Sequence, residues 1–206
     1  VQNTLIGALA GDAITTGGSN TASGYLALSA NTTGTENLAA GFNALNDNTT
    51  ASYNTALGSQ SMGLNTTGHS NTATGNSSLY SNTTGIQNTA FGRSALTNNT
   101  TASENTAVGE QCLTANTTGT GNCGLGRQAL NNNTTASSNT GMGLYALYAN
   151  TTGSNNTAFG RSASEGNTTA NSNTSIGYQA LKQTSTGASN VAVGADALTD
   201  NTTGYN

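Results

Sequence analysis

Apolar and polar positions along this chain recur every seventeen residues. Numbered from its opening Asn, a unit reads Asn-Thr-Ala-apolar-Gly, two variable residues, Ala-Leu, and two more variable residues. It then closes with Asn-Thr-Thr, Gly or Ala, and a last variable pair. Units open at Asn3, Asn20, Asn37, Asn54, Asn71, Asn88, Asn105, Asn122, Asn139, Asn156, Asn173 and Asn190, with no insertion, so residues 1–206 read as one array of twelve units. Gly fills the fifth position and Thr the fourteenth in all twelve, and Leu, or Met62, fills most ninth positions.

The pattern predicts elements. Side chains two apart share one face of a strand. Position 2 is Thr, or Leu38, Cys123 and Val191, and position 4 is mostly apolar. These two are expected to face inward. The opening Asn, the small third residue and Gly then make a flat outer face. The ninth residue is a second inward anchor, on a short strand or a tight helical turn. Asn-Thr-Thr-Gly closes the coil, Gly allowing positive φ and the polar side chains bonding nearby backbone. In the unit Asn88–Glu104, Thr89, Phe91 and Leu96 are thus inward, Asn88, Ala90 and Gly92 outward, and Asn99-Thr100-Thr101 an exposed bend.

Seventeen residues are too few for a helix pair, and the mid-unit Gly breaks helical continuity. The expected fold is all-β: a parallel β-solenoid, or β-roll, of twelve coils, each with two short strands and two bends. Coils stacked about 4.8 Å apart would span roughly 58 Å, with Asn and Thr rows bonded as ladders along the axis. The flat small-residue face suits close approach of another chain, so self-association is expected, as a parallel trimer or an end-to-end filament. Neither terminal unit resembles a polar cap, so the array is expected to continue or to stack on itself.

Composition changes the picture in two ways. Only 6% of residues are charged and 5% aromatic, with no Trp or Pro and 27 Gly, which would suggest disorder were the periodicity not strict enough for neighbouring coils to share a core. A net charge of -4 with four basic residues builds no phosphate-binding stripe, so no nucleic acid is expected. No apolar run suits a membrane span. Arg93, Arg127 and Arg161 fall two units apart, and the residue after Asn-Thr-Thr alternates between Gly and Ala from Gly85 to Gly153. Either a two-coil unit was duplicated, or the Arg row pairs with acids of a neighbouring chain.

Asn31, Asn48, Asn65, Asn82, Asn99, Asn116, Asn133, Asn150, Asn167 and Asn201 each open an Asn-x-Ser/Thr acceptor on an expected exposed bend, a candidate ladder of covalent N-linked glycans. The plainer alternative is that Asn and Thr build the turn. Ile14 and Thr184 interrupt the row, and Asn76, Asn98, Asn132, Asn155 and Asn173 match less regularly. Cys112 and Cys123 are a candidate disulfide if their strands approach; otherwise they are two small thiols. His69 is the only His, and the acidic residues form no pair at a recurring spacing, so neither metal, cofactor nor catalysis is expected. Ordered Thr rows are a feature of ice-binding solenoids, but a Thr-x-Thr spacing that recurs in every unit to form a flat ranked plane is missing.

SNVAVG at Ser189–Gly194 resembles the core of the head repeats of trimeric autotransporter adhesins, and NTAFG, NTAVG and NTSIG resemble relaxed versions. NTSIGYQAL at Asn173–Leu181 is similar to repeats of phage tail-fibre-like and bacterial surface proteins. The resemblance covers all twelve units. It implies a left-handed, trimeric β-roll in an extracellular fibre, at a cell or virion surface, with a cell-surface receptor as partner. No binding residue carries over, because the motif is structural.

Overall fold

A computed structural model describes residues 2–205. It is a parallel β-solenoid. Twelve strands of three residues, from Thr4–Ile6 through Thr89–Phe91 to Val191–Val193, form one sheet in sequence order. Each strand pairs in register with the same positions of the next unit, as in Thr89↔Thr106, Ala90↔Ala107 and Phe91↔Val108.

Each coil has one strand, not two. The rest of its circumference is turns, yet its backbone still bonds to the coils on either side. In the unit Asn88–Glu104 the N–H groups of Thr89, Leu96, Asn98 and Thr100 donate to carbonyls of the following unit, and that of Glu104 to the Ile86 carbonyl of the preceding one. Backbone polar groups are thus satisfied along the axis without a second strand. Within the coil, Ala95 N–H donates to Gly92 O and Asn99 N–H to Leu96 O, each closing a tight turn.

These turns need left-handed backbone at fixed places. Positions 7 and 9 have positive φ in every unit, as in Ser94 (φ 58) and Leu96 (φ 52), and position 17 does so wherever it is described, as in Glu104 (φ 61). Bulky residues rarely adopt this region. From Leu28 to Leu181 the position-9 Leu is held there because its side chain is fully buried while its N–H reaches the neighbouring coil. The fifth-position Gly has no substitute. At Gly92 φ is 133 and an added Cβ would lie 2.7 Å from the Gly109 carbonyl carbon, so coils could not stack at this spacing with any side chain there. The Gly of Asn-Thr-Thr-Gly is different: its φ is not positive, and Ala51, Ala102, Ala136 and Ala170 take the same place.

The inside and outside of the strand are the reverse of the expectation. Ala90 is buried, whereas Thr89 and Phe91 are exposed; Asn88 is buried as well. Each regular coil turns six residues inward: in this one Asn88, Ala90, Ala95, Leu96, Asn99 and Ala102. The interior is therefore alanine, one leucine and two asparagines, and it has no space for an aromatic ring.

Some departures from the consensus are compensated by a neighbour. Cys112 replaces the usual Ala at position 8, and Gly124 replaces the facing Ala of the next strand; a Cβ on Gly124 would overlap the Cys112 sulfur. In the first unit Gly11 stands where Leu belongs, and the side chains of Leu5 and Ile14 occupy the space. Ser164 Oγ donates to Ser175 Oγ of the next coil across 2.9 Å in the interior. The first pair makes a direct test. Gly124→Ala should lower stability by about 1–3 kcal/mol through overpacking. Adding Cys112→Ala, which recreates the Ala95/Ala107 pairing of the coils beside it, should recover most of that loss in urea melts. Equal losses in the single and double variants would contradict the packing account.

Candidate functional site

The asparagines form the most regular polar structure in the molecule. The position-1 Asn sends Nδ2 to the position-15 carbonyl of its own coil, as Asn88 does to Ala102 O at 2.8 Å. Its Oδ1 accepts the backbone N–H of the next Asn, as from Asn105 at 3.0 Å. The position-12 Asn approaches the same carbonyl from the other side: Asn99 Nδ2 donates to Ala102 O and to Asn82 Oδ1, both at 2.9 Å. From the second coil to the tenth, one carbonyl per coil is thus held by two side-chain amides. Beside it, the position-13 hydroxyl donates to the matching carbonyl of the next coil, as Thr100 Oγ1 does to Thr117 O at 3.2 Å. The expected ladders exist, but the Asn ladders run inside the rod.

This placement corrects the expectation of an exposed bend at the Asn-Thr-Thr acceptors. Asn31, Asn48, Asn65, Asn82, Asn99, Asn116, Asn133, Asn150 and Asn167 are buried, and Asn201 in the last coil is half-buried. From Asn48 to Asn167 both Nδ2 hydrogens are engaged. A sugar on Nδ2 would remove one of those bonds and demand room in a packed interior. Among the irregular matches, Asn76, Asn98 and Asn155 are exposed, Asn132 is half-buried and Asn173 is buried.

Cys112 is buried and Cys123 half-buried, and both thiols are free. Burial, countered in part by a backbone hydrogen bond at Val108, pushes the Cys112 thiol up to about 12. His69 is exposed, with Nδ1 3.2 Å from the Ser70 hydroxyl, in a shallow depression that Tyr53 and Thr67 also line. Among the described residues no three His, Cys, Asp or Glu side chains gather as metal ligands, and no helix is long and apolar enough to cross a membrane.

The Arg row finds partners in its own chain. Arg93 Nη2 donates to Glu110 Oε1, and Arg127 Nε lies 3.5 Å from Glu110 Oε2. The hydrogen bond and charge of Arg93, with a smaller contribution from Arg127, hold the Glu110 carboxyl below its ordinary range. Arg161 lies over the Tyr178 ring, 5.8 Å from its centre. Lys182 and Glu165 are 4.0 Å apart. These groups are exposed or half-exposed and contribute little to stability.

The outward face of the sheet is the other regular feature. It carries the position-2 row, mostly Thr, beside the position-4 row, which includes Phe91, Leu125, Phe159 and Ile176. Periodicity located both rows but not their direction. Comparison of the chain with family models, curated proteins and solved structures finds no match.

Two outcomes are expected. The Asn167 Oδ1 is buried without a partner, because Thr184 follows in place of Asn and its hydroxyl donates to Asn201 O instead. Thr184→Asn should extend the ladder and raise stability by about 1 kcal/mol, read as a higher urea midpoint; an unchanged or lower midpoint would contradict the ladder account. For Cys112, the folded thiol stays protonated up to about 12 while the unfolded thiol ionises from 9.0. Its contribution is therefore complete below pH 9 and declines as pH rises through that window. Wild type should lose stability more steeply above pH 9 than Cys112→Ala, and parallel pH profiles would dismiss the effect.

Proposed function

We propose that this chain is a structural rod, a shaft segment of an extracellular fibre or filament at a cell or virion surface. One observation carries the reading: the repeated side chains join each coil to the next. The position-1 and position-12 asparagines, the fifth-position Gly and the position-13 Thr each serve stacking. A repeat stabilised by its nearest neighbours extends by adding coils, without redesign of a core. The resemblance of NTAFG and SNVAVG to surface-fibre repeats supports the location. An adhesive tip, if the fibre has one, would lie outside these coils.

The test is imaging. Negative-stain micrographs of the purified chain should show straight rods about 50–60 Å long, the length of twelve coils at strand spacing. Antibodies to the rod should label the outside of intact cells or particles. Compact round particles would refute the rod, and labelling only after permeabilisation would refute the location.

A further inference from the structure

None of the outward side chains of the sheet belongs to the buried core. Its larger apolar residues stay open to solvent: Phe91 is 57% exposed, Phe159 55%, Leu125 45% and Ile176 41%. From Phe91 through Val108, Leu125, Met142, Phe159 and Ile176 to Val193, seven successive rungs place an apolar side chain on the same column. No residue at position 2 or 4 of any unit is charged. All eight acids and four basic residues lie elsewhere on the coil, and Glu110 is held there by Arg93 and Arg127. A continuous uncharged apolar strip is unusual on the surface of a solitary soluble chain.

We propose that a second copy of this chain covers the strip, sheet face against sheet face, in a two-fold pair. Three arguments select that occupant. The first is area. Twelve rungs at about 4.8 Å and three residues at about 3.3 Å make a sheet face of about 570 Å², of which the apolar column is the centre. Two copies together bury about 1,100 Å², just above the lower bound for a specific interface. Tyr25 and Phe42, exposed and stacked 5.8 Å apart at the neighbouring position 6, extend the strip at one end. The second is spacing. Only another array with the same rung repeat keeps side chains interdigitated over the whole length, and facing sheets pack about 10 Å apart. The third is closure. Each chain has one such face, so an isologous contact uses it up and yields a pair, not an open aggregate.

This pairing rests on the rod reading, since it needs a long straight face, but the two fail separately. A rod seen singly in micrographs keeps the first and removes the second. Sedimentation equilibrium at on the order of 10 µM chain should give wild type near twice the 20.4 kDa chain mass. Phe91→Asp combined with Phe159→Asp should return it to a single chain mass. Both sites are exposed, so the circular dichroism spectrum of the variant should match wild type. Cys123 lies on the strip at position 2 and reports on it without any mutation. Its alkylation in wild type should slow as chain concentration rises, while Cys112 stays unreactive throughout. A single-chain mass for wild type, a trimer, an assembly that survives both substitutions, or Cys123 alkylation independent of concentration would each overturn the pairing.

Discussion

From the second coil to the tenth, one backbone carbonyl per coil, at position 15, is held by two side-chain amides, and the stack depends on it. In the unit Asn88–Glu104 it is Ala102 O, between Asn88 and Asn99. The turn after Asn-Thr-Thr is buried and lies outside any strand, so its carbonyl has no sheet partner there. Left alone it would carry the full penalty of an unsatisfied buried group. The amides that satisfy it also bond along the axis, Asn99 to Asn82 and Asn88 to the N–H of Asn105. Closing a coil and joining coils are therefore one interaction. Ile14 and Thr184, which interrupt the Asn row, lie in the first and the eleventh coil.

Because asparagine fills a third of the interior positions, the apolar core is small, and its tolerances are narrow. Ala90, Ala95 and Leu96 leave so little space that Cys112 requires Gly124 opposite it and Gly11 requires Leu5 and Ile14. A thin core of this kind cannot accept phenylalanine, which explains where the aromatic residues go. It also explains why left-handed backbone is tolerated at the buried leucines: burial of that one side chain and the bond of its N–H to the next coil act together, as at Leu28, Leu96 and Leu181.

A rod held together this way can grow in length without changing its cross-section, and it presents each surface residue type as a row. Charge lies on the turn corners, where Arg93 and Arg127 share the Glu110 carboxylate. The sheet side is left uncharged and apolar. Stacking along the axis and the outward face of the sheet therefore use different residues.

The sequence by itself determined the period, the number of coils, the all-β class, the in-register stacking and the existence of Asn and Thr ladders, because each follows from repetition at seventeen without an insertion. It also made Leu96 a buried anchor, since a large apolar residue at a fixed place among small ones has few alternatives. Which way the strand faces was not legible. In three residues such as Thr89-Ala90-Phe91, alternation defines two faces but does not say which is inside, and a shift of one residue exchanges them. Hydrophobicity favours Phe91 inside; interior volume, set by how tightly a seventeen-residue coil closes, admits only Ala90. The asparagines were misplaced for the same reason. Asn99 reads as a surface turn residue until the folded coil brings the Ala102 carbonyl beneath its amide, and that meeting exists only in the tertiary structure.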